Sequence, residues 1–166
     1  MANLDQRNTD GDAQGDACDA DDDNDGSSDD QELADGTDPL DRFSCNRGCF
    51  SFDVDESLAA QPLTDGLLVI RYLFGFSGDA LVSGAVDGAA SRGDAGGIET
   101  YLKSAEAQLD IDGDGEAGPL TDGLLLIRYL FGFSGEALVA GAVGEGAQRQ
   151  NSDDIVAYIE ARIPGT

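Results

Sequence analysis

Residues 62–86, PLTDGLLVIRYLFGFSGDALVSGAV, recur at residues 119–143 as PLTDGLLLIRYLFGFSGEALVAGAV, with three differences in 25 positions. A shift of 57 residues brings the two into register. It also carries Asp53-Val54-Asp55 onto Asp110-Ile111-Asp112, and residues 98–102 (IETYL) onto 155–159 (IVAYI). The repeating unit is therefore long, about 52–108 and 109–165, and runs from an acidic loop to a closing helix. Two such units are expected to pack on one another, because neither covers its apolar side alone.

Within each copy the pattern reads loop, helix, turn, helix. Thr64 and Thr121 stand where an N-cap belongs, with Asp65 and Asp122 placing a carboxylate at the positive end of the helix. Leu67, Leu68, Ile70, Leu73 and Phe74 make the first helix nearly apolar all round, so it is expected to be buried. Gly75 and Gly78 bracket a break, after which Ser77 (Ser134 in the second copy) starts a short helical turn through Val82 (Val139). A closing helix follows over about residues 94–107 and 152–162. No alternating run reads as a strand. The expected fold class is mainly α, a tandem repeat of ion loops and helices.

The loops are where the chemistry lies. A hard divalent cation such as calcium takes six to eight oxygen ligands, and a curled loop presents inward-facing ligands at alternate positions. In the second repeat Asp110, Asp112 and Asp114 hold positions one, three and five, with Gly115 at the turn, Glu116 at seven and Asp122 closing at thirteen. The first repeat offers Asp53, Asp55, Ser57, the carbonyl of Ala59, and Asp65. It has one carboxylate fewer, and Leu58 replaces the turn glycine. The first loop is therefore expected to bind more weakly.

The strongest spacing lies further upstream. Residues 21–32, DDDNDGSSDDQE, put Asp21, Asp23, Asp25 and Asp29 at positions one, three, five and nine, Ser27 at seven and Glu32 at twelve. That is the full twelve-residue EF-hand spacing, with glycine at six. Just before it, Asn8, Asp10, Asp12 and Asp16 form another loop with Gln14 as carbonyl donor, and Asp19 stands at its edge to complete or bridge ions. About four or more calcium ions are expected over the whole chain.

Composition fits this reading. The 166 residues carry 34 acidic and 9 basic side chains, a net charge of −25, and no histidine. Residues 1–41 hold fifteen of the acids against Arg7 alone, with too few large apolar residues for a core of their own. Such a polyanion repels nucleic acid and anionic membranes, and no apolar run approaches the length of a membrane span. Neither partner is expected. An enzymatic role is not expected either: there is no histidine, no nucleophile beside a base, and the paired carboxylates sit in loops rather than an apolar cleft. Cys18, Cys45 and Cys49 suit an oxidising, extracellular setting, with Cys45–Cys49 and Cys18–Cys45 as alternative pairings. Met1 reads as an expression start on a fragment of a longer secreted chain.

Two resemblances follow from these motifs. Residues 3–41, with LDQRNTDGDAQGDACDADDDNDG and DGTDPLD, resemble thrombospondin type 3 repeats. That resemblance implies an irregular segment, about residues 1–44, wrapped around rows of calcium ions. Residues 52–162 look like a dockerin, with paired calcium loops that each run into a helix ending Arg-Tyr-Leu. It implies a domain at about 45–166 with Arg71, Tyr72, Arg128 and Tyr129 as candidates for contact with a cohesin-like partner. The function expected is an extracellular, calcium-dependent spacer or structural appendage of a larger protein; the alternative is a docking module.

Overall fold

The structure is a computed structural model, and it describes residues 7–10, 14–23, 28–40 and 50–163. The chain divides into two compact units, Met1–Cys49 and Phe50–Thr166. The described residues are mainly helical and contain no strand. No helix among them is long and apolar enough to cross a membrane.

Among the described residues of the first unit one short helix forms, α1 (Asp29–Asp35). Its first turn carries Asp29, Asp30 and Glu32, the charge sign favoured at a helix N-terminus. It ends at Gly36 in the left-handed conformation, whose amide donates to the carbonyl of Glu32.

The second unit is the repeat pair. The first copy contains α2 (Asp65–Leu73), α3 (Asp79–Val82), α4 (Ala95–Ser104) and a single 3₁₀ turn, Glu106–Gln108. The second contains α5 (Asp122–Leu130), α6 (Glu136–Val139) and α7 (Ser152–Glu160). Helices α2 and α5 stop in the same way. Gly75 at φ 81° and Gly132 at φ 84° turn the chain left-handed. The amides of Phe76 and Phe133 then reach back to the carbonyls of Arg71 and Arg128, both at 3.0 Å. This Schellman-type ending satisfies carbonyls that would otherwise be orphaned, and only glycine turns this way without steric cost.

The two copies do pack face to face. Helices α2 and α5 lie against each other, with Gly66 close to Ile127 and Leu130, and Gly123 close to Ile70. Start meets end, so the pair is antiparallel. A Cβ at position 123 would stand 3.0 Å from Ile70 Cγ1, so the missing side chains set how closely the helices approach. Around this contact lie the buried residues Leu68, Val69, Leu81, Ile98 and Leu102, and their counterparts Leu125, Leu126, Leu138, Ile155 and Ile159. Phe52, Val54, Leu109 and Ile111 bring the acidic loops into the same core. The amide of Phe52 donates to the carbonyl of Arg162 at 2.7 Å, so the start of the first copy is pinned just beyond the last helix of the second.

Local expectations need correction. The hydroxyls of Thr64 and Thr121 do not cap their helices by accepting an amide; they donate to Asp65 Oδ2 at 2.8 Å and Asp122 Oδ2 at 2.9 Å. The hydroxyl proton goes to the adjacent carboxylate in a charge-assisted bond, and the hydroxyl oxygen accepts no helix amide. The short helices α3 and α6 begin from Gly78 and Gly135 rather than from the serines. Phe74 and Phe131 belong to the turn and are about half exposed, at 53% and 54%. The closing helix of the first copy breaks at Ala105 into the 3₁₀ turn instead of continuing to 107.

Candidate metal centres

Each long helix of the repeat pair begins with a buried aspartate that gathers the preceding loop around itself. In the second copy Asp122 Oδ1 accepts the amides of Ile111 at 2.6 Å and Asp112 at 3.1 Å. Its Oδ2 accepts the amide of Gly118 at 2.8 Å and the Thr121 hydroxyl. Asp65 repeats the set: Val54 at 2.6 Å and Asp55 at 3.2 Å on Oδ1, Gln61 at 2.8 Å and the Thr64 hydroxyl on Oδ2. The closing position thirteen of both loops is thus bonded back to positions two and three.

The first loop residue shapes the turn. Asp110 Oδ1 accepts the amides of Gly113 and Asp114, and its Oδ2 that of Gly115 at 2.9 Å. Asp53 likewise accepts from Ser57 at 2.9 Å and Leu58 at 2.8 Å. The third loop residue reaches across the copy. Asp112 Oδ2 takes the amide of Gly144 at 2.6 Å, and Asp55 Oδ2 that of Asp87 at 2.7 Å.

These bonds bring three carboxylates together in each copy. Asp53, Asp55 and Asp65 offer oxygens that all lie within 4.8 Å of one another, as do those of Asp110, Asp112 and Asp122. Asp55, Asp65, Asp112 and Asp122 are fully buried. Among the described residues neither triad is ion-paired to a basic side chain; the ion pairs join Arg7 to Asp16 and Arg92 to Glu56. Burial, reinforced by the charge of Asp55, holds Asp65 above its ordinary value against the lowering effect of its hydrogen bonds. Asp112 is raised by burial and by Asp122 and Asp114, with the Gly144 amide opposing. Three crowded carboxylates, all oxygen donors and none ion-paired among the described residues, fit a hard divalent cation better than a softer metal that prefers nitrogen or sulfur.

The other loop residues stand around these triads. Ser57 turns its hydroxyl towards Asp53 Oδ1 at 3.5 Å and the Ala59 carbonyl at 3.4 Å. Asp114 Oδ1 accepts the amide of the exposed Glu116 at 2.8 Å. Arg71 and Arg128, the proposed partner residues, donate Nη1 to the carbonyls of Leu81 and Ser83, and of Leu138 and Ala140, at 2.8–3.0 Å. Each thereby ties a long helix to the end of a short one. Tyr72 and Tyr129 are partly buried, and the Tyr129 hydroxyl donates to Glu160 at 3.1 Å.

In the first unit Asp12, Asp25 and Ser27 lie outside the described residues. Asp16 accepts the amide and hydroxyl of Thr9, at 2.8 and 2.9 Å. Burial acts to raise its carboxyl, but these bonds and Arg7 outweigh that and leave it below the ordinary value. Asp19 accepts from Ala20 and Asp21, and Asp29 from Asp22. Asp23 and Glu32 are buried, at 2% and 1% exposure, while Asp10 and Asp21 are intermediate and Asn8 and Gln14 exposed.

Some residues at the sites were not singled out from sequence. Asp22 has a buried Oδ1 with no hydrogen-bond partner, and its carboxyl is raised by burial and by Asp29, Asp16, Asp19 and Asp10. Arg92 donates to the carbonyl of Val54 at 2.6 Å, and Arg149 to those of Ile111 and Asp110, each reaching the loop from the far part of its own copy. Both guanidinium groups lie over a tyrosine ring, Tyr101 at 3.7 Å and Tyr158 at 4.1 Å. The 57-residue shift pairs Arg92 with Arg149 and Tyr101 with Tyr158, which was the signal available. No family model, curated protein or solved structure matches the chain.

Proposed function

We propose that this chain is a calcium-binding structural module, not an enzyme, in which ions bound at the acidic loops hold the fold together. The observation that carries this reading is the duplicated carboxylate triad, Asp53/Asp55/Asp65 and Asp110/Asp112/Asp122, buried throughout except for the half-buried Asp110. An ion there would take carboxylate oxygens from both ends of a loop and join the loop to the first turn of α2 or α5. Calcium would neutralise carboxylates that no basic side chain ion-pairs among the described residues, and its flexible coordination suits a loop of thirteen residues. Binding and folding then belong to one equilibrium.

The first unit takes the same reading further. Fifteen acids in 41 residues repel one another, and each divalent ion would neutralise several at once. The resemblance to thrombospondin type 3 repeats makes this unit a calcium-stiffened spacer. The dockerin-like character of the repeats suits an appendage on a larger extracellular protein. Modules of this kind bind calcium at about 10⁻⁴–10⁻³ M, within reach of extracellular concentrations.

Circular dichroism and small-angle scattering of the chelated full chain during a calcium titration test the proposal. Compaction and a rise in melting temperature that saturate with calcium are expected. Identical profiles with calcium and with chelator would reject it.

A further inference from the structure

We propose that Asp87, which lies outside the linear loop, supplies the first ion site with the carboxylate missing at Ser57. The inference rests on the calcium reading above and concerns how the two sites reach equal charge.

The 57-residue shift pairs Ser57 with Asp114 and Asp87 with Gly144. Gly144 and Asp87 occupy the same place, since the amide of each donates to the third-position carboxylate, Asp112 Oδ2 at 2.6 Å and Asp55 Oδ2 at 2.7 Å. A Cβ built on Gly144 would stand 1.9 Å from Asp114 Oδ2 and 3.2 Å from Asp112 Oδ2. The Cα–Cβ direction at this place therefore points straight at the fifth-position carboxylate. Two acids cannot share that volume.

Loop 2 puts the acid at position five and glycine opposite; loop 1 puts a short serine at position five and the acid opposite. Each copy so keeps one additional carboxylate beside its triad: Asp114 in one, Asp87 in the other. Both stand outside the 4.8 Å triads. The Asp87 Oδ1 accepts the amide of Ala89 at 2.8 Å, which leaves Oδ2 as the oxygen assigned to the ion. Four carboxylates then face each ion, which makes loop 1 less deficient than its own residues imply. Affinity in such loops follows ligand charge count.

The test is a calcium titration of the full chain followed by two-dimensional amide NMR. The Leu58 amide reports loop 1 and the Gly115 amide reports loop 2, since each donates to the first carboxylate of its loop. In Asp87→Asn the side-chain oxygen for Ala89 is kept and only the charge is lost. Loop 1 affinity is expected to fall about tenfold or more, with loop 2 unchanged. The exchange Ser57→Asp with Asp87→Gly, which copies loop 2, is expected to restore it. An unchanged loop 1 in Asp87→Asn, an equal loss from both loops, or no recovery in the exchange variant would each overturn the assignment. Absence of any calcium shift at both amides in the unaltered chain would instead overturn the calcium reading itself.

Discussion

Loop 2 turns on Gly113 and Gly115, at φ 74° and 100°, whereas loop 1 makes the same turns on Glu56 and Leu58, at φ 55° and 74°. The left-handed region costs a residue with a Cβ about 1–2 kcal/mol. Loop 1 bears that strain twice, with Leu58 left 87% exposed and so gaining no burial in return. What holds it is the first carboxylate: Asp53 Oδ2 accepts the Leu58 amide as Asp110 Oδ2 accepts that of Gly115. The comparison teaches that the carboxylate bonds dictate the loop path, and glycine only lowers its cost. Glu56 retains some compensation through its ion pair with Arg92.

If the bonds dictate the path, the largest effects belong to the aspartates that close the loops. Asp122→Ala and Asp65→Ala each strand three amides and a hydroxyl in a buried site. Each is expected to cost about 3–5 kcal/mol in calcium-saturated protein, measured by denaturant unfolding. The two values should agree, because the bond sets match. A large inequality would break the equivalence of the two sites.

A smaller effect of opposite sign sharpens the contrast. Leu58→Gly is expected to stabilise the protein by about 1 kcal/mol, since relief of strain exceeds the added entropy of the unfolded chain. Gly115→Leu should destabilise it by a similar amount. Thermal melts of both variants with calcium present check the pair.

The least effect comes from pH, and its sign depends on the ion. Asp65 and Asp112 have carboxyls raised by burial, so without metal the folded state holds protons that the unfolded state releases. Their contribution is complete below the unfolded value and is lost as pH rises through the raised one. The chelated protein should therefore melt higher as pH falls towards the ordinary carboxylate range. With calcium bound, protons compete with the ion, and the melt should fall over the same range. Parallel curves with and without chelator would contradict this.

Much of this was legible in the chain. The 57-residue register, the helices after each loop, and the pairing of Asp53, Asp55 and Asp65 with Asp110, Asp112 and Asp122 follow from local spacing, because loop and helix are contiguous. Contacts made across a copy were harder to read. Asp87 and Gly144 lie 32 residues beyond the carboxylates they meet, and Arg92 lies 38 beyond Val54. No local pattern carries such a pairing. The Thr64 and Thr121 hydroxyls differ for another reason: each is oriented by its bond to the carboxylate of the next residue, and no helix amide reaches its oxygen. Phe74 and Phe131 continue the apolar run by sequence, yet Gly75 and Gly132 turn the chain before their rings reach the core.

The most direct test is the anomalous diffraction of crystals grown in calcium, collected where the calcium signal is strong. Peaks are expected between Asp53, Asp55 and Asp65, and between Asp110, Asp112 and Asp122, with the carboxylate oxygens at about 2.3–2.6 Å. Calcium-saturated crystals with ordered loops and no peak at either triad would contradict the claim that these buried acids are held together by ions.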